Sequence, residues 1–146
     1  MYDRIIVRLN RKSLEAASKT GRREADRSGV RAIETAVIAR RIVDLAEDKQ
    51  AHDIVLLDIR QQSAIADYFV ICSADNDRQI RAILEHIDEQ IHKEYGRNPR
   101  VEGTSDSGWI VLDYADVVVH VFSAAQREFY RLERLWSKSP PLVVVQ

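Results

Sequence analysis

The 146-residue chain has little of what several common protein classes need. It holds one cysteine, Cys72, so no disulfide forms within it, as is typical of proteins from a reducing compartment. It contains no run of 18 apolar residues, so we expect no membrane-spanning helix. The first residues also lack the apolar stretch of a secretory signal. We therefore expect a cytoplasmic protein, with an organellar location as the alternative.

Residues that carry common enzyme chemistry are equally scarce. None of the four histidines lies in an HExxH motif or beside a CxxC motif, so we predict no metal site. The five glycines form no glycine-rich phosphate loop, and there is no GxSxG nucleophile elbow. The sequence thus predicts neither a cofactor nor a catalytic residue.

Charge is divided unevenly along the chain, although the net value is −1. Residues 1–31 hold nine Lys or Arg against four Asp or Glu, whereas residues 32–146 hold thirteen against nineteen. We interpret residues 1–30, which are rich in arginine and serine, as a flexible basic extension. It is either an RNA-binding arm or a solvated segment, so direct RNA contact stays open. The acidic remainder suits a basic protein partner better than a nucleic acid.

The rest of the chain alternates between helical and strand-like hydrophobic patterns. The predicted elements are a helix over 32–49, strands over 53–60 and 67–73, a helix over 76–95, strands over 100–103, 109–114 and 116–122, and a helix over 124–136. Phe129, Leu132 and Trp136 lie on one side of the last predicted helix and form its apolar stripe, which we expect to face inward. The order α-β-β-α-β-β-β-α predicts an α/β fold with a single mixed sheet of about five strands and helices packed on it. We predict one domain over 31–137 and a C-terminal tail over 138–146, either docked on a sheet edge or disordered.

One histidine, His120, stands inside the last predicted strand, where it invites a catalytic interpretation. Strand alternation places it on the same face of the sheet as Val118 and Phe122, with three other valines on the opposite face. Neither a nucleophile nor a metal ligand accompanies it in the sequence. The pattern therefore favours a hydrogen-bonded structural histidine over a general base.

Carboxylates at the ends of the predicted strands leave a second chemistry open. Asp58, Asp67 and Asp113 are of the type that holds Mg²⁺ for phosphoryl transfer, which makes a nucleotidyltransferase-like enzyme the alternative hypothesis. Aspartates in such places more often cap strands and begin turns. Because no phosphate-binding loop accompanies the three, the sequence favours the structural interpretation.

Five blocks of the sequence together resemble the ribosomal silencing factor family, also called Iojap-like. They are DIVLLDIR with SAIADYFVIC, RQI, RVEG, WIVLDYADVVVHVF and REFYRLERLW, in the family's order and spacing over about residues 32–137. The resemblance implies a nucleotidyltransferase-like fold without catalysis. It also implies a translation repressor that binds the large ribosomal subunit through ribosomal protein L14 (uL14). Such a protein blocks joining with the small subunit under nutrient limitation and is often a homodimer when free.

The same resemblance assigns partner-binding residues. It implies that Trp109, Tyr130 and Glu133 contact the ribosomal protein, together with Arg134, which stands where many members have lysine. We expect the two aromatic residues to be interface anchors. Ala115 stands in the last hairpin where many members have glycine, and a positive φ there would strain it slightly.

Overall fold

The computed structural model describes residues 30–136, 138–139 and 141–146. The predicted basic extension, apart from Val30, lies outside the described residues. The elements are α1 (Val30–Asp48), β1 (His52–Asp58), β2 (Tyr68–Ala74), α2 (Asp77–Tyr95), β3 (Arg100–Thr104), a 3₁₀ turn (Ser105–Ser107), β4 (Trp109–Asp113), β5 (Val117–Ser123), α3 (Ala124–Tyr130), α4 (Leu132–Leu135) and β6 (Pro141–Val145). All eight predicted elements are present, but the last predicted helix is divided in two.

One mixed sheet carries the fold, in the strand order β3-β4-β5-β2-β1-β6. Strands β2 and β5 are parallel, and every other neighbouring pair is antiparallel. The α/β prediction is confirmed, with six strands where about five were expected. The additional strand comes from the apolar tail, in which Val144 pairs with Val55 of β1. Of the two alternatives for the tail, docking on a sheet edge is the one found.

Helix α2 shows how local sequence signals set the frame. Asn76 Oδ1 accepts a hydrogen bond from Gln79 N at 2.8 Å, which satisfies one of the free amides of the first turn. The Gln79 side chain reaches outward to the carbonyls of Lys49 and Gln50, and so ties the start of α2 to the turn after α1. Gly96, at φ +68°, ends the helix in the left-handed conformation that glycine adopts without strain.

The sheet separates two hydrophobic layers. Helices α1 and α2 cover one face, where they meet the alternate valines of β5 that begin at Val117. The opposite face holds Val118, His120 and Phe122 of the same strand, beneath α3, α4 and the segment between β1 and β2. The predicted alternation of β5 is thus confirmed, and His120 lies in the second layer.

The single helix predicted over 124–136 is wrong. Arg131 has φ +45° and ψ +54°, a left-handed conformation that separates the seven residues of α3 from the four of α4. The turn redirects the chain so that Leu132 becomes buried, whereas Phe129, predicted to lie on the same inward stripe, is 76% exposed. A non-glycine residue in this region costs roughly 1–2 kcal/mol, which the burial of Leu132 offsets.

Candidate functional site

Trp109 lies inside the second layer and is not at the surface. Its ring is fully buried and stacks on Phe122, its cross-strand neighbour, at a centroid distance of 4.7 Å. Its indole Nε1 donates a hydrogen bond to His120 Nδ1 at 3.2 Å. The expectation that Trp109 presents its ring as an interface anchor is therefore corrected. As folded, the ring supports the surface from beneath, and any effect it has on a partner passes through its neighbours.

His120 has the environment of a structural residue. The ring is buried, and burial lowers the pKa of His120 to about 3, although the charge of Asp113 acts in the opposite direction. The ring is therefore neutral at pH 7. Because Nδ1 accepts the bond from Trp109, the ring proton resides on Nε2, which has no hydrogen-bond partner among the described residues. A buried neutral imidazole in this arrangement is poorly placed to act as a base on a substrate.

Tyr130 connects this buried cluster to the surface. It is half-buried at the end of α3, and its ring centroid lies 5.0 Å from that of Trp109. On its other side, the exposed ring of Phe129 meets it edge-on at 4.8 Å. Leu135 of α4 is a second exposed large hydrophobic residue, at 57%. The series of side-chain contacts from His120 through Trp109 to Tyr130 thus supports an apolar surface on α3 and α4.

Glu133 and Arg134 differ in how they are engaged. Arg127 Nε donates to Glu133 Oε1 at 2.7 Å, so Glu133 already has a basic partner within the chain. Arg134 is exposed on α4. The structure therefore brings Tyr130, Glu133 and Arg134 to one outer corner with Trp109 beneath, which is the grouping expected from the resemblance. Their role in binding a partner stays a prediction.

Three contributors to this corner were not found from the sequence. Phe129 was assigned to an inward-facing stripe because the left-handed turn at Arg131 carries no glycine to signal it. Leu135 was hidden by the same error. Arg127 was not singled out, because its partners Asp53 and Ser73 lie 74 and 54 residues away in the chain. No local pattern indicates contacts of that range.

A crevice opens beside the corner, at the carboxyl ends of the parallel strands β2 and β5. It has a volume of about 400 Å³ and is lined by side chains of both charges, among them Asp75, Arg127 and Glu128. The helices that follow β2 and β5 pack on opposite faces of the sheet, and such a switch point is where open α/β sheets form crevices. Arg127 reaches across its wall from α3 to the sheet.

Two of the three aspartates of the enzyme hypothesis, Asp58 and Asp113, have hydrogen-bond partners inside the chain. Arg60 bonds both oxygens of Asp58, at 2.9 and 2.6 Å, and holds the pKa of that carboxyl below its usual value. Asp113 Oδ1 accepts from Ala115 N at 2.7 Å and so closes the β4–β5 turn. No group of three or more His, Cys, Asp or Glu within the described ranges has an arrangement suited to a metal ion. The geometry gives these two aspartates structural roles, in line with the favoured interpretation.

None of the helices in the described part of the chain is long and apolar enough to cross a membrane.

Comparison with known proteins shows what this chain and its fold are similar to. A family model described as "Ribosomal silencing factor during starvation" matches residues 32–146. The ribosomal silencing factor of Bacillus subtilis is 40% identical over 94 residues, which cover 64% of this chain and 80% of the relative. A mouse protein named "Mitochondrial assembly of ribosomal large subunit protein 1" is 28% identical over 99 residues, or 66% of this chain and 43% of that protein. A crystal structure from Chromobacterium violaceum superposes with a TM-score of 0.67 at 28% identity, covering 76% of this chain and 92% of that one.

Proposed function

Because the chain belongs to the ribosomal silencing factor family, we propose that it binds the large ribosomal subunit through ribosomal protein L14 and blocks joining of the small subunit. Translation would then fall when nutrients are limiting. The name of the mouse relative, which refers to assembly of the large subunit, supports the choice of that subunit. The proposal assigns no catalytic step to this chain.

The observation that carries the proposal is an exposed apolar surface on a well-supported corner. We call Phe129, Tyr130, Arg134 and Leu135 the docking surface. Phe129 and Leu135 are exposed at 76% and 57%, and the half-buried Tyr130 rests on the fully buried Trp109. Aromatic groups held rigidly by a packed layer lose little conformational entropy when a partner covers them, which is the usual character of an interface anchor.

The charge of the domain supports a basic partner. Residues 32–146 carry six more acidic than basic side chains. Proteins that bind ribosomal RNA are basic because they neutralise phosphates, so a protein component of the ribosome is electrostatically complementary to this domain. Such complementarity mainly raises the association rate and steers orientation, and the apolar docking surface supplies contact area.

Co-sedimentation with purified large subunits, with and without small subunits, tests the proposal. The wild type should pellet with large subunits and reduce the yield of joined ribosomes. Phe129→Ala should weaken binding roughly 30- to 1,000-fold, as is typical of an anchor worth about 2–4 kcal/mol. Ile33→Ala is the matched control, because Ile33 is also exposed but lies on α1, across the sheet. A wild type that neither pellets nor blocks joining would refute the function. If Phe129→Ala and Ile33→Ala change the affinity for large subunits equally, the assigned surface would be refuted.

A further inference from the structure

Arg127 joins three elements of the fold through one guanidinium group. Nη1 donates to the carbonyl oxygen of Asp53 on β1 and to Ser73 Oγ on β2, the latter at 2.9 Å. Nε donates to Glu133 Oε1 on α4 at 2.7 Å. Only 13% of the arginine side chain is exposed. A planar fork that is fixed to the sheet at one nitrogen has little freedom at the other, so it holds Glu133 in one place.

The bond between Arg127 and Glu133 spans the break in the last helical segment. Arg127 precedes the left-handed residue Arg131, and Glu133 follows it. Helices of seven and four residues are too short to be stable by themselves, since isolated helices below about 12–15 residues are marginal in water. The relative position of α3 and α4 therefore depends on contacts that cross the break. The guanidinium supplies one of them directly from the sheet.

The docking surface lies on both sides of the same break. Phe129 and Tyr130 are on α3, whereas Arg134 and Leu135 are on α4. A partner that covers all four needs both helices in one arrangement. Whatever fixes α4 against α3 thus sets the shape of the surface before the partner arrives.

Glu133 is poorly suited to recognise a partner directly. Its carboxylate is already neutralised by Arg127, and a basic group from outside would have to compete with that charge-assisted bond. The neighbouring pair of Glu128 and Arg131 differs, because its side chains are 71% and 44% exposed and it does not reach the sheet. Exposed pairs of that kind contribute little to stability.

We propose that Arg127 and Glu133 form an internal clamp that positions α4 against α3, and that Glu133 affects partner binding through Arg127 without touching the partner. The inference rests on the proposed function, since the surface positioned is the docking surface. Recognition then resides in the docking surface of Phe129, Tyr130, Arg134 and Leu135. Arg127 and Glu133 are positioning residues.

A double-mutant cycle separates this clamp from direct recognition. The affinity of the full chain for purified large subunits is measured for the wild type, Arg127→Met, Glu133→Gln and the double variant. Arg127→Met and Glu133→Gln should each weaken binding about tenfold. The affinity of the double variant should differ from that of either single variant by less than about twofold. Arg127→Lys, which keeps a charge near Glu133 without the fork, should restore part of the loss. Arg41→Met is the matched control, because it breaks a similar pair with Glu94 on the other side of the sheet and should leave affinity unchanged.

Tryptophan fluorescence supplies a readout that a general loss of stability would not move. Trp136 follows α4 and packs edge-on against Phe69 at 5.2 Å. Quenching by acrylamide, measured far below the melting temperature, should increase in Arg127→Met and Glu133→Gln and stay at the wild-type value in Arg41→Met. Additive losses of affinity would show that Glu133 meets the partner itself and would overturn the clamp. Unchanged quenching in both clamp variants would overturn it as well. If the wild type fails to bind large subunits while quenching still rises, the clamp stands as a structural device and the proposed function is what fails.

Discussion

The bond between Trp109 and His120 yields a prediction that can be tested through stability alone. Trp109→Phe keeps an aromatic ring against Phe122 and Tyr130 but removes the indole N–H that His120 Nδ1 accepts. His120→Leu removes the other member of the pair. Both positions are completely buried, so water cannot replace the lost partner.

The magnitudes follow from what each change leaves behind. Trp109→Phe leaves a buried acceptor unsatisfied at about 1–3 kcal/mol and loses about 1 kcal/mol of packing, so we expect a cost of about 2–4 kcal/mol. His120→Leu removes the acceptor of the indole bond but also removes the Nε2–H that has no partner among the described residues, so it should cost less. In the double variant neither polar group remains. Its cost should therefore fall below the sum of the two single costs by about 1 kcal/mol or more.

Urea unfolding followed by circular dichroism measures these free energies, provided that the slope of the free energy against urea stays the same in all four proteins. Trp109→Ala is a poor substitute, because its expected loss of about 3–5 kcal/mol is a large part of a typical total of 5–15 kcal/mol. If the cost of the double variant equals the sum of the two single costs within about 0.3–0.5 kcal/mol, the two side chains are not coupled. The argument for a support beneath Tyr130 would then fail.

Four further predictions address separate parts of the molecule. Burial lowers the pKa of His120 from 6.5 to about 3, so below pH 6.5 the unfolded chain binds a proton that the folded chain does not bind. The free energy of unfolding should therefore fall by about 2 kcal/mol between pH 7.5 and pH 5 in the wild type, and by clearly less in His120→Leu. Urea unfolding at both pH values measures the two decreases. An equal drop in the two proteins would contradict this. Ala115 has φ +75°, so Ala115→Gly should raise the unfolding free energy by about 0.5–1 kcal/mol in the same assay; a lower value would show that the turn is not strained. Strand β6 is a sheet edge on which Leu142 and Val144 are exposed at 43% and 55%, and we expect it to pair with β6 of a second copy. Light scattering at high micromolar concentration should detect a dimer that Val144→Glu disrupts. A monomer at all concentrations would rule the dimer out. Deletion of residues 1–30 should leave the affinity for large subunits and its salt dependence unchanged, whereas a shallower salt slope would identify the segment as an RNA-binding arm.

Sequence patterns located the elements well wherever a signal was local and repeated. Helix α2 was expected over 76–95 and is found at Asp77–Tyr95, because a four-isoleucine stripe, an Asn cap and a terminal glycine all agree. The two faces of β5 followed from alternation alone. For the tail, the sequence left two alternatives open. An apolar segment docks only where a sheet edge is free, and the tail's own sequence does not show that the edge of β1 is free.

The resemblance named four candidate residues, whose role in binding stays a prediction, and it did not give their arrangement in the fold. Trp109, Tyr130, Glu133 and Arg134, which the resemblance named, lie at one corner of the structure. The resemblance could not show that Trp109 is buried, since a tryptophan that opens a strand fits either a rim or a core. It also missed the turn at Arg131, where tertiary burial of Leu132 overrides the helical periodicity. The contacts of Arg127 could not be predicted from the sequence, because they join elements that lie far apart in the chain.

These corrections change what a binding defect would mean at each position. The cost of truncating an interface residue includes any reorganisation of the free protein, so a large loss does not by itself identify a contact. Trp109 is buried beneath the docking surface and Glu133 is held by Arg127, yet both positions can weaken binding by changing how Tyr130 and Leu135 are presented. Phe129 has the opposite character, because its ring is mostly in water and supports little else. Loss of affinity with unchanged stability is therefore expected at Phe129, whereas at Trp109 the two should decline together. Comparing stability with affinity at these positions therefore distinguishes side chains that would touch the proposed ribosomal partner from those that shape the docking surface.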